Sequence, residues 1–140
     1  MEDVTKSLAY THSVLFGDLW SCELSKILLV EDDLLSCEFI RLSLEDEHEE
    51  VRSANSWTEG KLLCQEFKPD VLITDIELPD GSGIQLAREA GNMGVSCVIG
   101  ITGYNRDHLN ALGKDISVFS TLMIKPVDPE RLKELLRPKA

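Results

Sequence analysis

From Lys26 onward the chain alternates short, unbroken apolar runs with longer segments whose apolar residues recur every three or four positions. The run KILLV (26–30) is continuous, the pattern of a strand buried on both faces, and it ends at Glu31, Asp32 and Asp33. A helix is predicted next, with Asp33 as N-cap and Leu35, Phe39 and Leu42 on its apolar stripe. EEVRSA (49–54) predicts a weaker, more polar strand near a sheet edge. SWTEGKLLCQEF (56–67) opens with Ser56 and Glu59 at capping-box spacing and carries Leu63 and Phe67 on one face.

The second half repeats the rhythm. DVLIT (70–74) predicts a strand that delivers Asp75 at its end, and IQLAREA (84–90) a short helix closed by Gly91. VSCVIGI (95–101) reads as a fourth strand ending at Thr102, with a poorly patterned helix over 104–112. SVFSTLMI (117–124) reads as a fifth strand ending at Lys125 and Pro126. The last helix has Asp128 as N-cap, Pro129 at its first position and Leu132, Leu135 and Leu136 facing inward. Five alternations of strand and helix imply right-handed βαβ units. The fold class expected is α/β: a doubly wound, five-stranded parallel sheet with helices on both faces.

Residues 1–25 stand outside that alternation. Val4, Leu8, Leu15 and Leu19 keep a loose helical spacing that Gly17 interrupts. The segment reads as an N-terminal leader: an extra helix on the domain or on another subunit, or a linker from an adjoining domain. Residues 26–137 form the domain.

Charge narrows the partners. With 25 acidic residues against 14 basic ones the net charge is −11, which repels a nucleic-acid backbone and suits divalent cations or basic partners. Direct nucleic-acid binding is not expected. The cysteines at 22, 37, 64 and 97 are too widely spaced for a CxxC-type metal site. Three of them lie in apolar helical or strand segments, where a free thiol is the commoner state, so a reducing, cytoplasmic location is expected. No apolar run reaches the roughly 18 residues of a membrane span, so no insertion is expected. A signal-peptide pattern is likewise missing. His12, His48 and His108 are scattered and suggest neither a metal site nor a catalytic base.

Chemistry gathers at strand ends. In parallel open sheets ligands bind outside the carboxyl ends of the strands. Here four of the five predicted strands deliver a reactive residue there: Glu31 and Asp32, then Asp75, Thr102 and Lys125. Three crowded carboxylates repel, and at least one keeps its proton unless a cation sits among them. Mg²⁺ (or Mn²⁺) suits such a cluster, because it takes a few carboxylates, keeps waters and accepts phosphate oxygens. Acids, cation, lysine and hydroxyl together describe phosphoryl transfer to a carboxylate.

The series ILLVEDD, VLITDIELPDGSG, VIGITG and LMIKPVD resembles the receiver domain of two-component response regulators, over about residues 26–137. The resemblance implies a flavodoxin-like receiver fold, with Asp75 as phosphoacceptor. It implies that Glu31, Asp32 and Asp75 hold Mg²⁺ together with the backbone carbonyl of Glu77. Thr102 would be the switch hydroxyl and Lys125 the phosphoryl contact, before a Lys125–Pro126 bond that the family usually holds cis. Pro79 and Gly83 would shape the loop after Asp75 and keep that carboxylate exposed. The phosphodonor would be a histidine kinase or a histidine phosphotransfer protein or domain. The receiver of a hybrid histidine kinase is one form this takes, since ITGYN (101–105) with KPVDPERL (125–132) is similar to that group. A downstream protein or a covalently linked output domain would read the switched surface, about 104–136, and homodimerisation is open.

One departure stands out. Leu122 occupies the position, three residues before the lysine, where the family commonly carries an aromatic. Two other functions compete: a phosphorylation-independent docking or dimerisation module, and a haloacid-dehalogenase-like phosphatase. The phosphatase would need two aspartates separated by one residue after the first strand, and VEDDLL lacks that pair. The chain is therefore expected to be a signalling phosphoacceptor rather than an enzyme acting on other substrates.

Overall fold

The computed structural model describes residues 26–46 and 50–137. The leader, Cys22, His12 and His48 lie outside these residues. Five strands form one parallel sheet: β1 (Lys26–Val30), β2 (Glu50–Ala54), β3 (Val71–Asp75), β6 (Cys97–Thr102) and β7 (Thr121–Ile124). Their order is β2-β1-β3-β6-β7, so β2 is an edge strand, as its polarity predicts. Helices α1 (Leu34–Glu45), α2 (Trp57–Phe67), α3 (Gly83–Asn92) and α4 (Arg106–Ala111) connect them, and α5 (Pro129–Leu136) follows β7. The doubly wound α/β fold expected from the alternation is the one observed.

Strand alternation divides the core between the two faces of the sheet. Ile27, Leu29, Val71, Ile73 and Ile101 pack with Cys37, Ile40 and Leu44 of α1 and Leu132 and Leu136 of α5. Leu28, Val30, Leu72 and Val98 pack on the other side with Cys64 and Phe67 of α2 and Leu86, Ala87 and Ala90 of α3. Burying each large aliphatic side chain stabilises the fold by about 1.5–3 kcal/mol, so both layers are needed to hold the sheet.

Four local expectations need correction. The stripe Leu35, Phe39 and Leu42 faces solvent; Cys37, Ile40 and Leu44 are the buried residues of α1. Helix α3 does not stop at Gly91 but runs to Asn92, and the chain turns at Gly94. The fifth strand is only Thr121–Ile124, because Asp115 caps a 3₁₀ turn over Ile116–Val118 by accepting from the Ser117 amide. The fourth strand starts at Cys97 rather than 95.

The caps behave as the sequence suggests. Asp33 accepts from the Ser36 amide at 3.0 Å, and Asp128 from the Glu130 amide at 3.0 Å with Pro129 next in line. Helix α2 ends at Lys68, in the left-handed region at φ 53°, immediately before Pro69.

Candidate functional site

Strand register brings the candidate residues together before any side chain is considered. The strand order reverses direction between β1 and β3, and such a switch point opens a crevice at the carboxyl ends. Val30 pairs with Thr74, so Glu31 emerges beside Asp75. Asp75 pairs with Ile101, so Thr102 lies one residue beyond it. Thr102 pairs with Ile124, and Lys125 follows, its amide bonded to the Thr102 carbonyl at 2.7 Å.

The side chains then converge. One carboxylate oxygen from each of Glu31, Asp32 and Asp75 lies within 4.8 Å of the others. Lys125 Nζ is 2.9 Å from Asp75 Oδ1 and 3.3 Å from Glu31 Oε1. Asp75 is 3% exposed and Glu31 1%, whereas Asp32 faces solvent. The expectation that the loop keeps Asp75 exposed is wrong. Asp75 closes an interior strand of the sheet, so neighbouring strands on both sides cover it.

That burial has an electrostatic cost. Burial first, and the Glu31 carboxylate second, push the Asp75 pKa up to about 8 against the opposing pull of Lys125. Burial works to lower the Lys125 pKa, but hydrogen bonds to and charges on Asp75 and Glu31 outweigh it, so the ammonium is held above its ordinary value. An all-oxygen cluster with more negative charge than one lysine balances fits a hard divalent cation. Glu31, Asp32 and Asp75 would hold it.

The remaining site residues are arranged around this cluster. The Thr102 hydroxyl accepts from the Tyr104 amide at 3.0 Å, and the Tyr104 ring stacks on His108 with centroids 4.6 Å apart. Leu122 is half-buried and shares the space over Gly100 with Phe119. The Lys125–Pro126 peptide is cis.

The loop after Asp75 carries a short ladder of its own. Glu77–Leu78 (β4) and Gly81–Ser82 (β5) form a small antiparallel ladder ahead of α3. Glu77, whose carbonyl is the fourth expected ligand, has an exposed side chain on β4. At Gly83 a Cβ would fall 1.8 Å from the Asp75 carbonyl oxygen, so only glycine lets the loop fold back and bond Gly83 N–H to the Ile76 carbonyl at 2.7 Å.

Sequence reasoning missed Asn55. Its side-chain amide donates to the Glu31 carbonyl at 2.9 Å and fixes the turn that carries the acidic pair. The two residues are 24 positions apart, so the only available signal was an Asn at the carboxyl end of the neighbouring strand.

Fold and cluster together define a flavodoxin-like α/β domain with an acidic site at its switch point. The response regulator receiver domain model matches residues 27–137, and the chain belongs to that family. Among similar proteins, the transcriptional regulatory protein YdfI of Bacillus subtilis is 26% identical over 71% of this chain and 48% of its own length. The chain thus spans about half of that relative. An uncharacterized 14.6 kDa protein of Leptolyngbya boryana is 33% identical over 79% of this chain and 86% of its own. The crystal structure of the N-terminal domain of an uncharacterized protein (WS1339) from Wolinella succinogenes superposes with a TM-score of 0.70. It is 33% identical, over 79% of this chain and 90% of that one.

Proposed function

We propose that this chain is the phosphoacceptor of a two-component phosphorelay, with Asp75 taking a phosphoryl group from a phosphohistidine on a histidine kinase or histidine phosphotransfer protein. The observation that carries the reading is the buried Asp75 carboxylate, 2.9 Å from Lys125 and clustered with Glu31 and Asp32. An Asp75 oxygen attacks phosphorus. The P–O bond forms as the P–N bond breaks, and the imidazole nitrogen leaves with the electron pair and takes a proton from water.

Lys125 neutralises charge on the phosphoryl oxygens as they arrive. Glu31, Asp32, Asp75 and the Glu77 carbonyl would hold Mg²⁺ (or Mn²⁺), which when bound offsets the repulsion between three carboxylates and an incoming anion. Thr102 turns its hydroxyl from the Tyr104 amide toward the phosphoryl group, and that lost hydrogen bond is the first link to α4. The surface over 104–136 then shifts its equilibrium toward a downstream protein or output domain. The free thiols Cys37, Cys64 and Cys97 support a reducing, cytoplasmic setting. No helix among the described residues is long and apolar enough to cross a membrane.

The test is intact mass after incubation with a small acyl-phosphate donor. A gain of one phosphoryl group (about 80 Da) that needs both Mg²⁺ and Asp75 is expected, so Asp75→Asn should show none. No gain in folded wild-type protein would sink the proposal and favour a docking module. Turnover of a generic phosphomonoester would instead favour a phosphatase.

A further inference from the structure

The first turn of α2 meets both halves of the acidic site. Asp80, in the loop after Asp75, reaches across 22 and 23 residues of sequence to this turn. It accepts from the Trp57 amide at 2.7 Å, the Thr58 amide at 3.0 Å and the Thr58 hydroxyl at 2.7 Å. Ser56 takes the next amide, Glu59 N–H, at 3.1 Å, and the Ser56 carbonyl takes Gly60 N–H at 2.9 Å. Every free amide of the helix start is thus satisfied, two of them by a residue that belongs to another loop. The Trp57 side chain packs against Gly81, where a Cβ would sit 2.5 Å from Trp57 Cγ. Asn55, two residues before Trp57, holds the Glu31 carbonyl in the loop that carries the acidic pair.

We propose that Asn55, Trp57 and Thr58 act as a bracket that sets the distance between the two halves of the cation site, and that Asp80 is a positioning residue for the Glu77 carbonyl. The inference rests on the receiver reading, because it assigns the Glu77 carbonyl to the cation. Asp80 lies three residues beyond Glu77, on the turn of the β4–β5 hairpin. Ile76 N–H bonds the Ile101 carbonyl at 2.9 Å and so anchors the near end of the loop. Asp80 anchors the far end. With both ends fixed, the carbonyl is held in place before the cation arrives, and little ordering is left to be done on binding. Trp57 is thereby more than core packing: it is the surface against which the hairpin rests.

A titration with MgCl₂ followed by the backbone amide shifts of Glu77 and Gly83 tests this. Asp80→Ala should weaken Mg²⁺ binding about tenfold, the low end for groups that orient metal ligands, and Asp80→Asn should recover part of the loss. Ser56→Ala damages the same helix start without touching the loop. It should lower the melting temperature yet leave Mg²⁺ affinity within about twofold of wild type. Equal affinity in Asp80→Ala and wild type would overturn the bracket and leave the receiver reading intact. An equal loss in Ser56→Ala would also overturn it, since helix stability alone would then explain the effect. Wild-type protein that binds no Mg²⁺ would sink the receiver reading and the bracket with it.

Discussion

Asp70 and Asp75 flank the same strand and live in opposite conditions. Asp70, just before β3, accepts from the Lys26 amide at 3.0 Å, donates its own amide to the Lys26 carbonyl at 2.8 Å and receives Ser96 Oγ on its carbonyl at 3.3 Å. Lys26 Nζ bonds the Phe67 carbonyl at 3.2 Å and lies 5.3 Å from the Phe67 ring centre. Asp75, the last residue of β3, is buried against Glu31, with Lys125 as the donor to its carboxylate. Both are aspartates at a strand end. One is spent on closing the sheet, and the other is kept short of partners. Burying polar groups without matching donors costs stability, and such costs concentrate where a ligand or reaction will later supply the missing charge. On the proposed function, the strand separates stability from chemistry over its five residues.

The sharpest way to break this contrast is to neutralise each aspartate in turn. Asp75→Asn should cut phosphoryl uptake by about two orders of magnitude or more while leaving the melting temperature equal or higher, because a buried, crowded carboxylate is removed. Asp70→Ala should do the reverse. It should lower the melting temperature by about 3–5 °C, for roughly 1 kcal/mol of lost hydrogen bonding, with uptake within about twofold of wild type. Uptake assays and thermal melts on the same two variants decide it. Parallel losses in both would show that the two ends are not separable.

Lys125→Met should come next in size, with a loss of uptake of at least about tenfold and a lower melting temperature, since Asp75 and Glu31 are left without their cation. An unchanged melting temperature would mean that water already balances the pair.

A smaller effect should appear in pH dependence. With Asp75 raised from 3.8 to about 8, the metal-free folded chain holds a proton there that the unfolded chain has released. Its contribution is full below about pH 4 and is lost as pH rises toward 8, so stability should fall across that window. Urea midpoints at several pH values, wild type minus Asp75→Asn, isolate the slope. A flat difference would contradict the pKa shift.

The smallest effect belongs to the quiet end of β3. Cys64 and Asp70 line one cleft there, and burial pushes the Cys64 thiol up to about 11. A maleimide at pH 8 should therefore modify half-buried Cys97 well before Cys64 in native protein, as peptide masses would show. Faster labelling of Cys64 would mean that the cleft opens.

Much of this was legible in the sequence, and the failures have physical causes. Continuous apolar runs gave the interior strands, and polar residues at their ends gave Glu31, Asp32, Asp75, Thr102 and Lys125 as neighbours, because parallel strands place their carboxyl ends on one edge. Helix α1 defeated periodicity because it is apolar on two opposite faces. Leu35 and Leu44 lie half a turn apart after nine residues, and only the second faces the sheet. The 3₁₀ turn at 116–118 was absorbed into a strand because SVF is as apolar as the strand that follows, and the Asp115 cap is a signal of a single residue. The burial of Asp75 and the grip of Asp80 on α2 depend on strand order and long-range contact, which no local pattern records.

On the proposed function, the under-partnered aspartate of β3 takes the phosphoryl group. Borohydride reduction of the phosphorylated protein converts an aspartyl phosphate to homoserine, and peptide sequencing by mass spectrometry then reads its position. Homoserine at position 75 alone is the predicted result. Homoserine at Asp32, at Asp70 or spread over several aspartates would contradict the account.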